Sequence, residues 1–234
     1  GSRVLTALDE RPRSSFAADV DTDGFADFVI TTWAGLSESG ESLNHVSVLP
    51  GSGDGRFGPP ETIADLATSI IAHGDVDGDG RIDFAALLYD PTRIEIYVGD
   101  GVGGFASTSG FETGSRADWL FLLDADGDGR LDLLALTRAR TDAFLWLGDG
   151  DATFSARRTL KVGENTTDVV AADIDSDGHA DLAFLNEPTG RFSLWFGNGR
   201  GGFAERPGYP PVLAGAIDRS QVADFDGDGA IDIA

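Results

Sequence analysis

"DVDGDGRID", residues 75–83, sets four aspartates and two glycines in nine positions. Four carboxylates so close together repel one another and cannot be buried without a partner. The pattern D-x-D-x-D-G-x-x-D returns as "DVDTDGFAD" (19–27), "DADGDGRLD" (124–132), "DIDSDGHAD" (173–181) and "DFDGDGAID" (224–232). The loop starts at 19, 75, 124, 173 and 224 are spaced by 56, 49, 49 and 51 residues. A second signature keeps the same beat: "GSGDGRF" from Gly51, "GDGVGGF" from Gly99, "GDGDATF" from Gly148 and "GNGRGGF" from Gly197. Self-similarity at this period marks an array of supersecondary units.

Within a unit the texture is short and β-like. "SIIAHG" leads into a loop, "DFAALLY" leaves it, "RIEIYV" follows a "DP" turn, and a glycine-rich turn precedes "FASTSG". "DFVITTW", "HVSVLPG", "AFLWLG" and "FSLWFG" are apolar or alternating and bounded by turn formers. Nothing sustains a helical stripe. Four strands per unit predict an all-β fold, a β-propeller of four-stranded blades. Repeats start near 14, 69, 118, 168 and 219, in a single domain over 1–234. Small residues before the loops ("FAAD", "AHGD", "VAAD", "QVAD") suit an innermost strand, and "FLLD" before Asp124 departs from this. Tyr97, Trp146 and Trp195, two residues before the repeated glycine where the first repeat has Leu49, are expected to pack between blades.

The loops themselves point to a cation. Hard carboxylate oxygens select a hard ion, and Ca²⁺ takes about 6–8 oxygen ligands. Side chains at loop positions 1, 3 and 5 alternate so that they converge. Glycine at position 6 (Gly24, Gly80, Gly129, Gly178, Gly229) lets the backbone turn back on the ion. Position 7 (Phe25, Arg81, Arg130, His179, Ala230) is read as offering its carbonyl, whatever its side chain. An EF-hand loop begins in the same way but needs a glutamate at position 12, where this chain has Ile30, Ala86, Ala135 and Phe184. Position 9 closes the site instead. The expected ligands are therefore Asp19, Asp21, Asp23, Phe25 and Asp27; Asp75, Asp77, Asp79, Arg81 and Asp83; Asp124, Asp126, Asp128, Arg130 and Asp132; Asp173, Asp175, Asp177, His179 and Asp181; and Asp224, Asp226, Asp228, Ala230 and Asp232. About five Ca²⁺ ions are expected in all.

The loops, the period and the G-x-G-x-x-x-F turns resemble the FG-GAP repeats of integrin α-subunit propellers, and still more the bacterial versions called VCBS repeats. The resemblance covers nearly the whole chain. It implies the same ligand set, and it implies a non-catalytic, calcium-stabilised recognition or adhesion module for an extracellular glycan or protein. The alternative is the propeller part of a secreted polysaccharide-degrading enzyme, a lyase or hydrolase. Modules of this kind bind Ca²⁺ with Kd of about 10⁻⁴–10⁻³ M, so a secreted or cell-surface location is expected.

Composition agrees. Forty acidic residues against 17 basic ones give −23, which disfavours nucleic acid and anionic membranes. Five divalent ions, ten positive charges, would bring this to −13. No apolar run approaches the ~20 residues of a membrane helix. Cysteine is absent, so disulfides do not staple the fold. His45, His73 and His179 occupy different repeat positions, and none pairs recognisably with a nucleophile. The connections opposite the calcium loops carry a candidate ligand face: Trp33, Tyr89, Arg93, Trp119, Arg138 and Arg191, accompanied by Arg116, Arg140, Glu187 and Arg219. "WAGLSESGESLNH" (33–45) reads as the one expanded connection. The opening "GS" (1–2) reads as a tag remnant. "RVLTAL" (3–8) reads as an outer strand that either completes the unit begun at Val222, giving a five-bladed ring, or belongs to a larger propeller; an open fragment would self-associate.

Overall fold

A computed structural model describes residues 11–36, 42–66, 70–89, 92–114, 117–137, 141–162, 166–186, 191–206, 222–223 and 232–233. Every element among them is a β-strand. The first sheet has β1 (Arg11–Ala18), β2 (Asp27–Leu36), β3 (Ser42–Leu49) and β4 (Glu61–Leu66). The second has β5 (Ile71–Gly74), β6 (Asp83–Tyr89), β7 (Thr92–Gly99) and β8 (Phe105–Glu112). The third has β9 (Ala117–Leu123), β10 (Asp132–Thr137), β11 (Asp142–Trp146) and β12 (Arg158–Lys161). The fourth has β13 (Thr166–Ala172), β14 (Asp181–Asn186), β15 (Arg191–Gly197) and β16 (Phe203–Glu205). A short pair, β17 (Val222–Ala223) and β18 (Asp232–Ile233), follows. Each four-stranded sheet is an antiparallel meander in sequence order, as a propeller blade requires. The segment 3–8 and most of the fifth loop lie outside the described residues.

One register runs through all four blades. The position 9 aspartate opens the second strand opposite the last residue of the first: Ala18 with Asp27, Gly74 with Asp83, Leu123 with Asp132, Ala172 with Asp181. The next residue pairs with the aromatic position of the third strand: Phe28 with Leu49, Phe84 with Tyr97, Leu133 with Trp146, Leu182 with Trp195. The stretch 33–45 is mostly strand, because β2 and β3 are extended there; only 37–41 remains between them, outside the described residues.

The chain forms two compact units, residues 1–116 and 117–234, each holding two of the four-stranded blades. In the first unit, Val29, Val46, Val48 and Leu66 of one blade pack with Phe84 and Ala86 of the next. In the second, Leu134, Leu136, Ala143, Leu145 and Leu160 pack with Val169, Leu182 and Phe184. The second strands carry buried residues on both faces, and all six of β10 are buried, which is why they read as continuous apolar runs. Of the aromatic positions expected to pack between blades, Tyr97 and Trp195 pack against clusters shared by two blades. Trp146 is buried, Tyr97 stacks on Phe84 with ring centroids 4.6 Å apart, and Trp195 packs against the core of the second unit.

Candidate metal centres

Each loop leaves the first strand and returns in the second, so strand pairing clamps both its ends. Inside, the aspartates hold the backbone they sit on. Oδ2 of position 1 accepts the N–H of position 6: Gly24 to Asp19 at 3.0 Å, Gly80 to Asp75 at 2.9 Å, Gly129 to Asp124 at 2.9 Å and Gly178 to Asp173 at 3.0 Å. These glycines have φ of 83–89°, which other residues rarely adopt. Oδ1 of position 5 accepts the position 7 N–H at 2.8–2.9 Å in all four loops. Position 4 is also left-handed, with φ of 60° at Thr22 and 61° at Ser176, where the other two loops have glycine.

The result gathers three carboxylates per loop. Ligand atoms of Asp19, Asp21 and Asp27 lie within 4.8 Å of one another, as do those of Asp75, Asp77 and Asp83, of Asp124, Asp126 and Asp132, and of Asp173, Asp175 and Asp181. Position 5 stands apart from these clusters. Asp23, Asp79, Asp128 and Asp177 cap position 7 instead, and Asp79 and Asp128 pair with Arg81 and Arg130. Asp175 is engaged by Arg206, 3.1 Å away. The fifth expected site, Asp224, Asp226, Asp228, Ala230 and Asp232, falls outside the described residues except for the backbone of Asp232 in β18.

The chemistry of these groups fits a cation. Burial pushes the carboxyl groups of Asp83 and Asp181 above the ordinary range, and that of Asp132 up to about 6, against the lowering effect of their N–H donors. Desolvation and the neighbouring carboxylates raise Asp21 and Asp126 as well. Oδ1 of Asp126 is buried with no hydrogen-bond partner. Buried acceptors are normally paired, so an unpaired oxygen in a ring of carboxylates is suited to a metal ion.

The side chain of position 7 has a contact of its own in all four described loops. Phe25, Arg81, Arg130 and His179 each lie against the second glycine of the turn between the third and fourth strands of the same blade: Gly53, Gly101, Gly150 and Gly199. A Cβ on any of these would strike that side chain. Spacing alone could not reveal this contact, because it joins segments far apart in sequence. Neighbouring blades also touch through the loops, since the Thr22 hydroxyl donates to the Gly101 carbonyl at 3.0 Å.

The proposed ligand face is only partly described. Trp33 is half-buried near the end of β2, and Trp119 is half-buried in β9 against the core. Arg93 lies in β7 opposite Glu112, with its Nε buried and without a partner. Tyr89 and Arg191 are placed by their strands alone, at the end of β6 and the start of β15. Arg116, Arg138, Arg140, Glu187 and Arg219 lie outside the described residues. His45 sits 3.4 Å from Asp65, and His73 stacks on Phe16.

A family model for the FG-GAP-like repeat matches residues 75–135, 124–184 and 177–234. The chain belongs to the family of proteins built from FG-GAP-like repeats. Comparison with curated proteins finds no match. Among solved structures, the chain is similar to an Agrocybe aegerita lectin that recognises non-reducing terminal N-acetylglucosamine, at 17% identity and TM-score 0.52, covering 84% of this chain and 65% of that one. It is similar to part of the Photorhabdus luminescens Tc holotoxin pore, at 21% identity and TM-score 0.56, covering 98% of this chain and 11% of that one. The V. cholerae biofilm matrix protein Bap1 aligns at 17% identity and TM-score 0.48, over 96% of this chain and 34% of that one. The chain thus spans less than two thirds of each of these structures, and the first two likenesses are likenesses of fold.

Proposed function

We propose that the chain is a non-catalytic, calcium-stabilised, extracellular recognition module that binds a glycan or protein partner. The observation that carries this reading is the same three-carboxylate cluster in four loops, at the same place in four blades. Asp19, Asp21 and Asp27 and their counterparts would hold the ion, with position 5 and the position 7 carbonyl available to complete its shell. Ca²⁺ suits such a site better than Mg²⁺, which takes fewer protein ligands and keeps its water. Ca²⁺ would offset the repulsion among the carboxylates within each loop, which stands uncompensated without it. Kd values of about 10⁻⁴–10⁻³ M are met only where calcium is millimolar, which supports a secreted or surface location. Among the described residues no helix is long and apolar enough to cross a membrane.

The expected partner surface is the strand ends opposite the loops, with Trp33, Tyr89 and Arg93 in the first unit and Trp119 and Arg191 in the second; Arg138, expected with them, lies outside the described residues. Arginine and aromatic side chains on an acidic protein suit an acidic sugar or a carboxylate-bearing loop. The lectin of similar fold recognises a terminal sugar, so glycans are the class to screen first. A glycan array probed with calcium-loaded protein tests the reading. Retention without cleavage, lost in Trp33→Ala and Arg93→Ala variants that stay folded, is the expected result. Depolymerisation of a retained polymer would overturn the non-catalytic reading.

A further inference from the structure

We propose that the first glycine of each turn between third and fourth strands, Gly51, Gly99, Gly148 and Gly197, is a positioning residue of the cation site on its own blade. The position 9 aspartate that closes each cluster is almost fully buried: Asp27 and Asp83 are 0% exposed, Asp132 and Asp181 1%. Both of its oxygens are held by backbone. Oδ2 accepts the N–H of loop position 2, from Val20, Val76, Ala125 and Ile174, at 2.7–2.9 Å. Oδ1 accepts the N–H of the turn glycine, at 2.8 Å for Gly51, 2.9 Å for Gly99, 2.8 Å for Gly148 and 2.8 Å for Gly197. Two donors, one from the loop itself and one from the turn between the third and fourth strands, fix the carboxylate's orientation. Mutating a group that orients a metal ligand in this way typically costs about 10–100-fold in metal affinity.

Glycine is required there by crowding. None of the four is among the left-handed residues, so conformational freedom is not what it supplies. A Cβ would overlap the carbonyl oxygen of loop position 8: Ala26, Ile82, Leu131 or Ala180, the residue immediately before the aspartate. Any side chain would push the turn off the loop and lengthen the N–H to Oδ1 contact. The contact also survives a change in hairpin length. Glycine and aspartate are 24 residues apart in the first blade and 16 in the other three, yet the distances agree to 0.1 Å. The two repeated signatures of the sequence are therefore two halves of one site, and loading the loop should order the outer turn with it.

This rests on the reading of the loops as calcium sites, so the wild-type protein is titrated with calcium first; if it takes up none, that reading falls and this proposal with it. Where calcium binds, hydrogen exchange is compared in calcium and in chelator. Exchange should slow together in the loop 75–83 and the turn 99–105; a loop that becomes protected while the turn stays unchanged would overturn the proposal. Gly99→Ala should weaken one site by about 10–100-fold and leave the others alone, while Val102→Ala, exposed in the same turn, should leave calcium binding unaltered. Gly99→Ala should also shrink the melting-temperature gain that calcium brings. A Gly99→Ala protein equally destabilised in calcium and in chelator, with every ion bound at wild-type affinity, would show a role in packing only. If that variant does not fold, the exchange measurement on the wild type still decides.

Discussion

At the scale of the residue, the aspartates carry opposite energies in the presence and absence of an ion. Asp126 puts a buried, unpaired oxygen among other carboxylates. Removing it relieves an unsatisfied acceptor, worth about 1–3 kcal/mol. In chelator, Asp126→Ala should therefore melt at the wild-type temperature or above it. In calcium the same change should cost one ion, about 2.7 kcal/mol at a hundredfold excess over Kd. Paired thermal melts check the reversal, and a variant equally destabilised in both would contradict it. Backbone strain gives a second expectation. Ser176 holds φ at 61° where the second and third loops have Gly78 and Gly127. Left-handed backbone costs a non-glycine residue about 1–2 kcal/mol, and glycine gives back about 0.4–1 kcal/mol through the unfolded chain. Ser176→Gly should gain about 0.5–1 kcal/mol in denaturant unfolding. Thr22→Gly should gain less, because Thr22 also bonds to Gly101 of the next blade.

At the scale of the element, much was legible in the sequence. Strands such as "DFAALLY" and "FSLWFG" follow from apolar runs between turn formers, and β6 and β15 lie where they were expected. Three of the four expected side-chain positions in each described loop converge, because alternate residues of a tight loop point the same way. Position 5 was harder to read: its carboxylate finds the nearer N–H of position 7, a purely local bond that competes with ligation. The stretch 33–45 misled because serine, glycine and glutamate look like loop, whereas pairing with a neighbour carries β2 and β3 through much of it. Tertiary context overrides β-propensity in this way. Nor could spacing show that Arg81 lies on Gly101 or that Gly99 holds Asp83, since both contacts cross between hairpins. The blade cores offer a direct test. Phe184 is fully buried in a cluster shared by two blades of the second unit, so Phe184→Ala should cost about 3–5 kcal/mol in denaturant unfolding. A loss under 1 kcal/mol would mean that these blades do not rely on each other's packing.

At the scale of the whole molecule, four described clusters and a fifth loop of the same pattern concentrate half of the chain's 40 acidic residues. If ions bind only the folded form, each site at a hundredfold excess over Kd adds about 2.7 kcal/mol. Several such terms match the about 5–15 kcal/mol that separates a typical domain from its unfolded state. Because repeats interact mainly with their neighbours, losing one ion should loosen one blade, and losing all should unfold the array. Thermal unfolding of the wild-type protein in millimolar calcium, compared with excess chelator at the same ionic strength, tests this most directly. The melting temperature should fall by tens of degrees when calcium is withdrawn and recover when it is restored, whereas coincident melting curves in calcium and chelator would contradict the account.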